Sequence, residues 1–330
     1  MLRILSICFA LLSGSQAFAQ DWPSRSVRLI VPYAAGGGTD TVARVLAQKL
    51  SSELGQQFVV ENKPGASGMI GAALVAKAAP DGYTLLVASP AEIALNQNLF
   101  PTMTYDPLKD FAPITLLAWT PLVMAAHPDF PASTPQELVA LAKKEQVDFS
   151  TPGIGSSHHL TGEYMNHVAG TKFMHVPYRG AAPAVTDAVA GQVKFTISGM
   201  PPVVPFLKAN KLKAIAVTSK NRFPLFPNVP AMSEVKGFED FDFTNWFGLL
   251  APAGTPKAIL DKLQKASAEA LKDEHVRQTL ENQAAVAVGN SSEEFAKFIL
   301  DEAARYKKIV EITQVLPPAA MTQSTTKVLI

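Results

Sequence analysis

Cysteine is nearly absent from this 330-residue chain, because its one cysteine, Cys8, lies in an apolar segment at the amino terminus. A single cysteine cannot form a disulfide within the chain, so stability has to come from a hydrophobic core. An excess of one charge is also absent, since 29 Lys and Arg residues stand against 28 Asp and Glu residues. Nucleic-acid-binding proteins and polybasic membrane-surface proteins need a basic face, and this balance argues against both classes.

Long apolar runs are missing as well. No segment beyond the amino terminus reaches the roughly 18 consecutive apolar residues that a transmembrane helix needs. Low-complexity tracts are absent and 48% of the residues are hydrophobic, which excludes fibrous and disordered proteins. The chain is long enough for a sizeable core, and its length favours two domains.

The first 19 residues have the form of a secretory signal peptide. Arg3 provides a positive start, residues 4–12 form an apolar run, and Ala17-Phe18-Ala19 is a small-x-small cleavage site. The run is too short to span a bilayer, so we expect cleavage after Ala19 and export to a bacterial periplasm. Cleavage removes Cys8, and the mature protein then has no thiolate nucleophile and no cysteine metal ligand.

Short β-branched or apolar runs alternate with stretches of helical period along most of the chain. This alternation predicts an α/β fold in which mainly parallel sheets are flanked by helices. The predicted strands are 27–33, 58–61, 83–88, 148–150, 193–198 and 212–218. The predicted helices are 39–54, 68–77, 134–144, 157–169, 181–190, 256–272 and 292–312.

Two long apolar segments, 114–126 and 242–251, are typical of connections between domains rather than of turns. If both join the same two lobes, the middle of the chain forms one lobe and its two ends form the other. We therefore expect one lobe of residues 20–122 plus 248–330 and a second lobe of residues 123–247, with the two segments as a crossing hinge. The tail after Pro317 carries Ser, Thr and Gln, and we expect a loose strap or disorder there.

The strongest local signal for a binding site is the segment 32–40, Pro-Tyr-Ala-Ala-Gly-Gly-Gly-Thr-Asp, which follows the first predicted strand and opens the first predicted helix. Glycines let the backbone approach a ligand closely. A helix amino terminus offers unpaired N–H groups and the positive end of the helix dipole to an anion. The spacing matches neither a dinucleotide fingerprint nor a P-loop, and a plain turn capped by Thr39 remains the alternative.

Three more glycine-bearing segments, 64–68, 151–159 and 177–184, also open helices. Each alone is weak evidence, because a plain helix cap explains its hydroxyl residues equally well. Together they are more informative, since the carboxyl ends of strands in open α/β sheets converge on one crevice. A crevice lined by helix amino termini from two lobes favours small anions. Arg179 is the candidate cation there, facing either ligand or solvent, and Asp40 is expected to bind the first-turn amides of its own helix or else a ligand amine.

Catalytic interpretations find less support. A G-x-S-x-G nucleophile elbow is absent, and His158, His159, Glu163 and His167 do not form an H-E-x-x-H zinc motif. An exported hydrolase or a metal-dependent lyase that uses His158, His159 and Glu163 remains the rival function. The aromatic residues between 238 and 247 are separated by acidic rather than basic residues, so they predict core or a cleft wall instead of nucleic-acid stacking.

The chain resembles the substrate-binding receptors of the tripartite tricarboxylate transporter family, the Bug or TctC-like proteins. The motifs that carry the resemblance span the mature chain in order: Trp22-Pro23, 32–40, 60–66, 80–84, 177–180, Pro230 with Glu234, and 246–256. The resemblance implies a two-lobe periplasmic-binding-protein-like receptor, not an enzyme, that closes on a small organic carboxylate and delivers it to membrane transporter subunits. Use as a ligand-sensing partner of a membrane signalling protein is compatible with the same resemblance. We expect a monomer with no cofactor, no metal and no nucleic-acid partner.

The resemblance also implies that the loops 33–40 and 178–184 grip one carboxylate from opposite lobes, largely through backbone groups and bridging waters. The turn 153–157 would hold the rest of the ligand. The predicted ligand-binding residues are Tyr33, Ala35, Gly36, Gly37, Gly38, Thr39, Asp40, Ser67, Ser89, Gly155, Ser156, Ser157, Tyr178, Arg179, Gly180, Ala181, Ala182 and Ser198. No residue is predicted to be catalytic.

Overall fold

Strands and helices alternate in the computed structural model, which describes residues 22–314. The predicted signal peptide 1–19 and the tail after Pro317 lie outside the described residues. The strands are β1 (Val27–Val31), β2 (Phe58–Asn62), β3 (Thr84–Ala88), β4 (Phe111–Ala126), β5 (Val147–Thr151), β6 (Phe173–Pro177), β7 (Phe195–Gly199), β8 (Lys213–Val217), β9 (Thr244–Pro252) and β10 (Val286–Ala287). The helices are α1 (Gly38–Leu54), α2 (Met69–Ala76), α3 (Pro135–Lys144), α4 (Ser157–Ala169), α5 (Ala181–Val189), α6 (Val204–Lys208), α7 (Lys257–Lys272), α8 (Glu274–Asn282) and α9 (Ser292–Thr313).

The predicted helices and strands are present, and the elements without a predicted counterpart are short. β6, β10, α6 and α8 have no predicted range. α8 is separate from α7 because Asp273 interrupts the helical period and starts a new helix. Its carboxylate accepts hydrogen bonds from the N–H groups of His275 and Val276. α9 begins after Ser291, which forms a reciprocal capping box with Glu294.

The sheet order places the two connecting segments at the centre of the molecule. The strands run β2-β1-β3-β9-β4-β7-β5-β6, and β8 and β10 also pair with β4. The outer strands are parallel, since β1 pairs with β2 and β3, and β5 pairs with β6 and β7. β4 and β9 pair antiparallel with each other and with their other neighbours. Each sheet is therefore mixed, and its parallel part is confined to the outer strands.

β4 passes from one sheet to the other. Residues 111–121 of this strand pair with β9, and residues 122–126 pair with β7 and β8. The predicted connecting segments 114–126 and 242–251 thus correspond to β4 and β9. The change of pairing partners falls at residue 122, beside one of the predicted lobe boundaries, while the exact lobe limits stay a prediction.

The connecting strand β9 also anchors the last helix. Trp246 and Phe247 are fully buried on opposite faces of β9. Trp246 Nε1 donates to Glu302 Oε2 at 3.0 Å, and Glu302 forms an ion pair with Arg305 at 2.7 Å. These contacts attach α9 to the strand that joins the two sheets. Within residues 22–314, no helix has the length and apolar character that crossing a membrane requires.

Candidate ligand-binding cleft

Helix α1 starts with backbone donors that no side chain has taken. Gly37 precedes the helix in an extended conformation, with φ −81° and ψ 170°, and no side chain of the described residues caps the first turn. Thr39 is therefore not the cap, and the alternative of a plain capped turn loses its support. The unpaired N–H groups and the positive end of the helix dipole point out of this helix start, which suits an anion.

Helix α5, which lies between β6 and β7 of the other lobe, starts in the same way. Gly180 precedes it with φ 137° and ψ 169°, a conformation that essentially only glycine adopts. No side chain in the described part of the chain caps this helix either. Helix α4 differs, because Ser156 Oγ accepts a hydrogen bond from His159 N–H at 3.2 Å and so occupies one of its donors. The starts of α1 and α5 thus keep their first-turn amides available.

The loops that lead into α1 and α5 contact each other, although the two helices follow strands of different sheets. A Cβ atom placed on Gly180 would lie 3.1 Å from Ala34 Cβ and 3.4 Å from Ala34 N. Close by, Ser67 Oγ donates a hydrogen bond to the carbonyl of Ile154, which joins the segments 64–68 and 151–159. All four glycine-bearing segments therefore converge, and the two halves of the molecule are closed on each other.

Two adjoining cavities lie between these segments. The first, which we name the inner chamber, has a cavity volume of about 30 Å³ and lies next to the helix starts. The second, the outer chamber, has a cavity volume of about 510 Å³ and lies against the segments 64–68, 152–154 and 177–179. Tyr33 and Pro152 line both chambers. The inner chamber has room for little more than a small group such as a carboxylate, so the rest of a ligand would extend past these two residues into the outer chamber.

Most predicted site residues line one of the chambers. The inner chamber is lined by the predicted residues Tyr33, Gly37, Gly38, Thr39, Ser89, Ser156, Ser157 and Ala181. The outer chamber is lined by the predicted residues Tyr33, Ser67, Tyr178 and Arg179. This placement brings residues from the four segments and from the end of β3 around one cleft.

Other predicted residues stand outside both linings. Of the described residues, these are Ala35, Gly36, Asp40, Gly155, Gly180, Ala182 and Ser198. Gly155 packs on Phe100, where a Cβ atom would lie 2.7 Å from a ring carbon. Ser198 is fully buried, and its hydroxyl has no hydrogen-bond partner among the described residues. Successive residues of a strand face opposite sides, and the next residue, Gly199, lines the inner chamber, so Ser198 faces away from it.

Asp40 secures the loop before α1 instead of facing the cavity. Its Oδ2 accepts hydrogen bonds from Gly36 N–H and Arg44 Nε, each at 2.9 Å, and its Oδ1 accepts one from Asn62 Nδ2 at 2.9 Å. Burial raises the pKa of Asp40, but the hydrogen bonds from Arg44, Gly36 and Asn62 outweigh burial and hold the pKa below its ordinary value. The expectation that first-turn amides of its own helix bind Asp40 is therefore wrong.

Several residues that line the inner chamber were not predicted from the sequence to bind the ligand. They are Ala91, Pro152, His158, Gly199, Pro202 and Asn245. Pro152 and His158 lie in the glycine-bearing segment 151–159, so that pattern could have included them. Asn245 reaches the chamber from the connecting strand β9, and no local pattern marks it.

A buried carboxyl group behind the inner chamber was also missed. Glu92 is 0% exposed, and its Oε1 accepts a hydrogen bond from Ser89 N–H at 2.6 Å. Its Oε2 accepts hydrogen bonds from Tyr33 OH at 2.8 Å and Ser89 Oγ at 3.0 Å. Burial raises the pKa of Glu92 to about 7, although the hydrogen bonds from Ser89 and Tyr33 lower it. A lone acidic residue in the apolar run 90–95 was the available signal.

The histidines of α4 do not form a metal site. Burial lowers the pKa of His158, which lines the inner chamber, to about 3, so its imidazole is neutral near pH 7. The ring of His159 stacks on that of His175 with 4.0 Å between centroids, and Glu163 Oε1 lies 3.6 Å from His159 Nε2. Among residues 22–314, no group of three His, Cys, Asp or Glu side chains could hold a metal ion. The proposed lyase chemistry therefore lacks a metal site in this part of the chain.

Neutral polar groups surround the inner chamber. Its lining contains hydroxyl, imidazole and amide side chains and, within the described residues, no lysine or arginine. Arg179 lines the outer chamber with an exposed side chain, and the neighbouring Tyr178 donates its hydroxyl to Asp187 Oδ2 at 2.6 Å. An anion in the inner chamber would be held by backbone dipoles and hydroxyl groups rather than by an ion pair.

A cleft between two lobes, joined by two connecting strands and lined by helix amino termini, defines a two-lobe solute-binding protein. The sequence model of the tripartite tricarboxylate transporter family receptor, TctC, matches residues 42–315, and the chain belongs to this family. The predicted family and the two-lobe α/β fold are thereby confirmed. Proteins of this family are substrate-binding receptors, so the prediction that the chain is not an enzyme is also confirmed, and the hydrolase and lyase alternatives are set aside.

Named relatives and solved structures resemble the chain over most of its length. BugT of Bordetella pertussis is 36% identical over 298 residues, which are 89% of this chain and 91% of BugT. A structure of an R. palustris protein with adipate has a TM-score of 0.87 at 33% identity and covers 90% of this chain and 100% of its own. MatC from Rhodopseudomonas palustris with bound malate has a TM-score of 0.82 at 33% identity and covers 87% of this chain and 99% of its own. These matches include both lobes.

Proposed function

We propose that this chain is a periplasmic receptor that binds a small organic carboxylate between its lobes and delivers it to a tripartite tricarboxylate-type membrane transporter. The observation that carries the proposal is the meeting of two uncapped helix starts, those of α1 and α5, beside one chamber. The adipate and malate held by two structural relatives support a carboxylate ligand. The family supports the transporter partner, and the signal sequence with its cleavage site after Ala19 supports export.

Backbone donors are sufficient for a useful affinity. Charge-assisted hydrogen bonds contribute about 1.5–3 kcal/mol each. Three or four of them, less the costs of desolvation and of ordering the lobes, give a binding free energy of about −8 kcal/mol, which corresponds to a micromolar Kd. Because the donors come from both lobes, the ligand binds the closed arrangement best and shifts the open–closed equilibrium towards it.

Titration calorimetry against a panel of mono-, di- and tricarboxylates, with malate and adipate included, tests the binding step. We expect micromolar binding by the wild type and its loss in Gly37→Val. A Cβ atom at Gly37 would already lie 3.6 Å from Ala34 O and 3.9 Å from Ala181 Cβ, so the valine methyl groups would occupy the space between the two helix starts. The φ of −81° is open to any residue, so the variant should fold.

The melting temperature of Gly37→Val, followed by circular dichroism, is the control for folding. An unchanged affinity in the folded variant would remove the α1 start from the site. Failure of the folded wild type to bind any acid of the panel would refute the carboxylate receptor. Receptor-dependent uptake of the bound acid into proteoliposomes with the transporter's membrane subunits tests delivery, and uptake that does not depend on the receptor would contradict it.

A further inference from the structure

Three oxygen atoms form a closed triangle at the wall of the inner chamber. Tyr33 OH lies 2.8 Å from Glu92 Oε2, Ser89 Oγ lies 3.0 Å from the same oxygen, and Ser89 Oγ lies 3.0 Å from Tyr33 OH. Tyr33 and Ser89 line the chamber, whereas Glu92 is fully buried behind them. The carboxyl group of Glu92 therefore acts on a ligand in the chamber through these two hydroxyl groups.

The protonation state of Glu92 decides which way these hydroxyl groups donate. An ionised Glu92 only accepts hydrogen bonds, so it uses both hydroxyl protons, and the lone pairs of Tyr33 and Ser89 are left to face the chamber. Such a wall repels an anionic oxygen. A protonated Glu92 adds a third proton to the triangle, so one hydroxyl proton can turn to a ligand carboxylate while every oxygen stays hydrogen-bonded.

Within residues 22–314, no cation pairs with the carboxyl group of Glu92. Among the described residues, its hydrogen-bond partners are Ser89 and Tyr33 through the side chain and Tyr105 through the backbone carbonyl, which accepts from Tyr105 OH at 2.8 Å. From the segment 65–68, Gly68 lies against its carboxylate. Burial raises the pKa values of Tyr33 and Tyr105 far above 7, so both stay neutral.

In the described part of the chain, the other elements packed around Glu92 bring no cation to its carboxyl group either. Helix α9 packs on the turn 91–95 with Glu302 and Tyr306 on its buried face. Glu302 is already paired with Arg305 at 2.7 Å. Burial raises the pKa of Tyr306, so it is neutral near pH 7. Across the chamber His158 is neutral as well, because burial lowers its pKa to about 3.

We propose that Glu92 couples carboxylate binding to proton binding, so that its side chain is protonated whenever a carboxylate occupies the inner chamber and takes up one proton on binding if it was ionised before. The inference rests on the proposed function and adds to it that the anion enters together with its neutralising proton. Glu92 is a positioning residue in this scheme, since it orients the hydroxyl groups of Tyr33 and Ser89 and does not itself line the chamber.

The coupling sets the size of the expected pH effect. The pKa of Glu92 in the unliganded protein is about 7. If the protonated form binds the carboxylate, the apparent affinity follows the protonated fraction of Glu92 and falls about 25-fold between pH 6.5 and pH 8.5. Proton uptake on binding rises over the same range and approaches one per ligand.

Titration calorimetry of the whole mature receptor, in buffers of different ionisation enthalpy, measures both quantities. Malate and adipate are the first probes, followed by the rest of the panel. Glu92→Gln keeps the size of the side chain and cannot ionise, and its amide can donate to the hydroxyl groups as a protonated Glu92 does. We expect this variant to bind with an affinity that is constant with pH and with no proton uptake. Glu163→Gln is the matched control, because Glu163 lies outside both chamber linings, and it should keep the wild-type profile.

The outcomes separate this inference from the function on which it rests. Binding by the wild type at pH 8.5 without proton uptake would overturn the inference and leave the carboxylate receptor intact, and this measurement needs no variant. A folded Glu92→Gln receptor that keeps the wild-type pH profile would overturn it as well. Absence of binding by the folded wild type at every pH, for the whole panel, would overturn the proposed function together with the inference.

Discussion

The substitution Gly180→Ala tests whether closure of the two lobes creates the binding site. The added Cβ atom would lie 3.1 Å from Ala34 Cβ and 3.4 Å from Ala34 N, both on the opposite lobe. Since these contacts exist only when the lobes are together, the steric penalty falls on the closed state. The φ of 137° adds backbone strain in both states, which affects folding rather than binding.

The expected magnitude follows from these two terms. Overpacking of a close contact costs about 1–3 kcal/mol, and in this variant it destabilises the closed state relative to the open state. A change of 1.4 kcal/mol is a tenfold change in affinity, so the Kd of the carboxylate should rise about 5- to 150-fold. The backbone strain costs about 1–3 kcal/mol of folding stability and should lower the melting temperature without changing Kd further.

Calorimetric Kd values and melting temperatures of three variants separate the two terms. Gly191→Ala, at the other end of α5, has a φ of 70° and, among the described residues, nothing within 4 Å of the new Cβ atom. We expect it to lose stability and to keep the wild-type Kd. Ala34→Gly combined with Gly180→Ala removes the Cβ–Cβ contact and should recover most of the affinity. Wild-type affinity in a folded Gly180→Ala receptor would refute the reasoning that closure at Ala34 forms the site.

Two other predictions concern charged side chains. Arg179→Gln should raise the Kd less than about fivefold, and so less than Gly180→Ala does. The reason is that the guanidinium at the outer chamber is exposed and screened by solvent. A larger loss of affinity, measured by calorimetry at physiological salt, would make Arg179 the main anchor. The bidentate contact of Arg28 with Glu61, at 2.7 and 2.9 Å, lowers the pKa of Glu61 to about 2. A lowered pKa stabilises the fold above the ordinary value of 4.5, and this contribution disappears as pH falls towards 2. Because the pair is partly exposed, Glu61→Gln should lower the free energy of unfolding in urea by at most about 1 kcal/mol at pH 7, with no difference near pH 2; a difference that persists at pH 2 would contradict the assignment.

Local patterns were sufficient to predict the βα units that carry the site. The glycines at 36–38 and 180 mark sharp entries into α1 and α5, and such entries depend on backbone freedom that a single sequence displays. The antiparallel pairing of β4 with β9 was not predicted, because it joins residues more than 120 positions apart and depends on how the two lobes assemble. For the same reason Asn245 could not be placed at the inner chamber from sequence.

The role of a polar residue was harder to predict than its position. Asp40 was placed correctly at the first turn of α1, but its partner Asn62 comes from the end of β2, 22 residues away. The sequence shows Glu92 as an acidic residue in an apolar run, yet its role depends on Tyr33, which is 59 residues earlier. Hydrogen bonds of this kind join residues that are far apart in the sequence, so local periodicity carries no information about them.

The neutral inner chamber also has a physical advantage for a receptor that must release its ligand. A buried arginine would keep its ion pair with a carboxylate in the open state as well as in the closed one, and release would be slow. Backbone donors divided between the starts of α1 and α5 act together only while the lobes are closed, as the approach of Ala34 to Gly180 requires. Opening separates the two sets of donors and admits water, which competes for the carboxylate. Under the proposed function, affinity therefore depends on closure itself, and a transporter that opens the lobes obtains the ligand without having to break an ion pair.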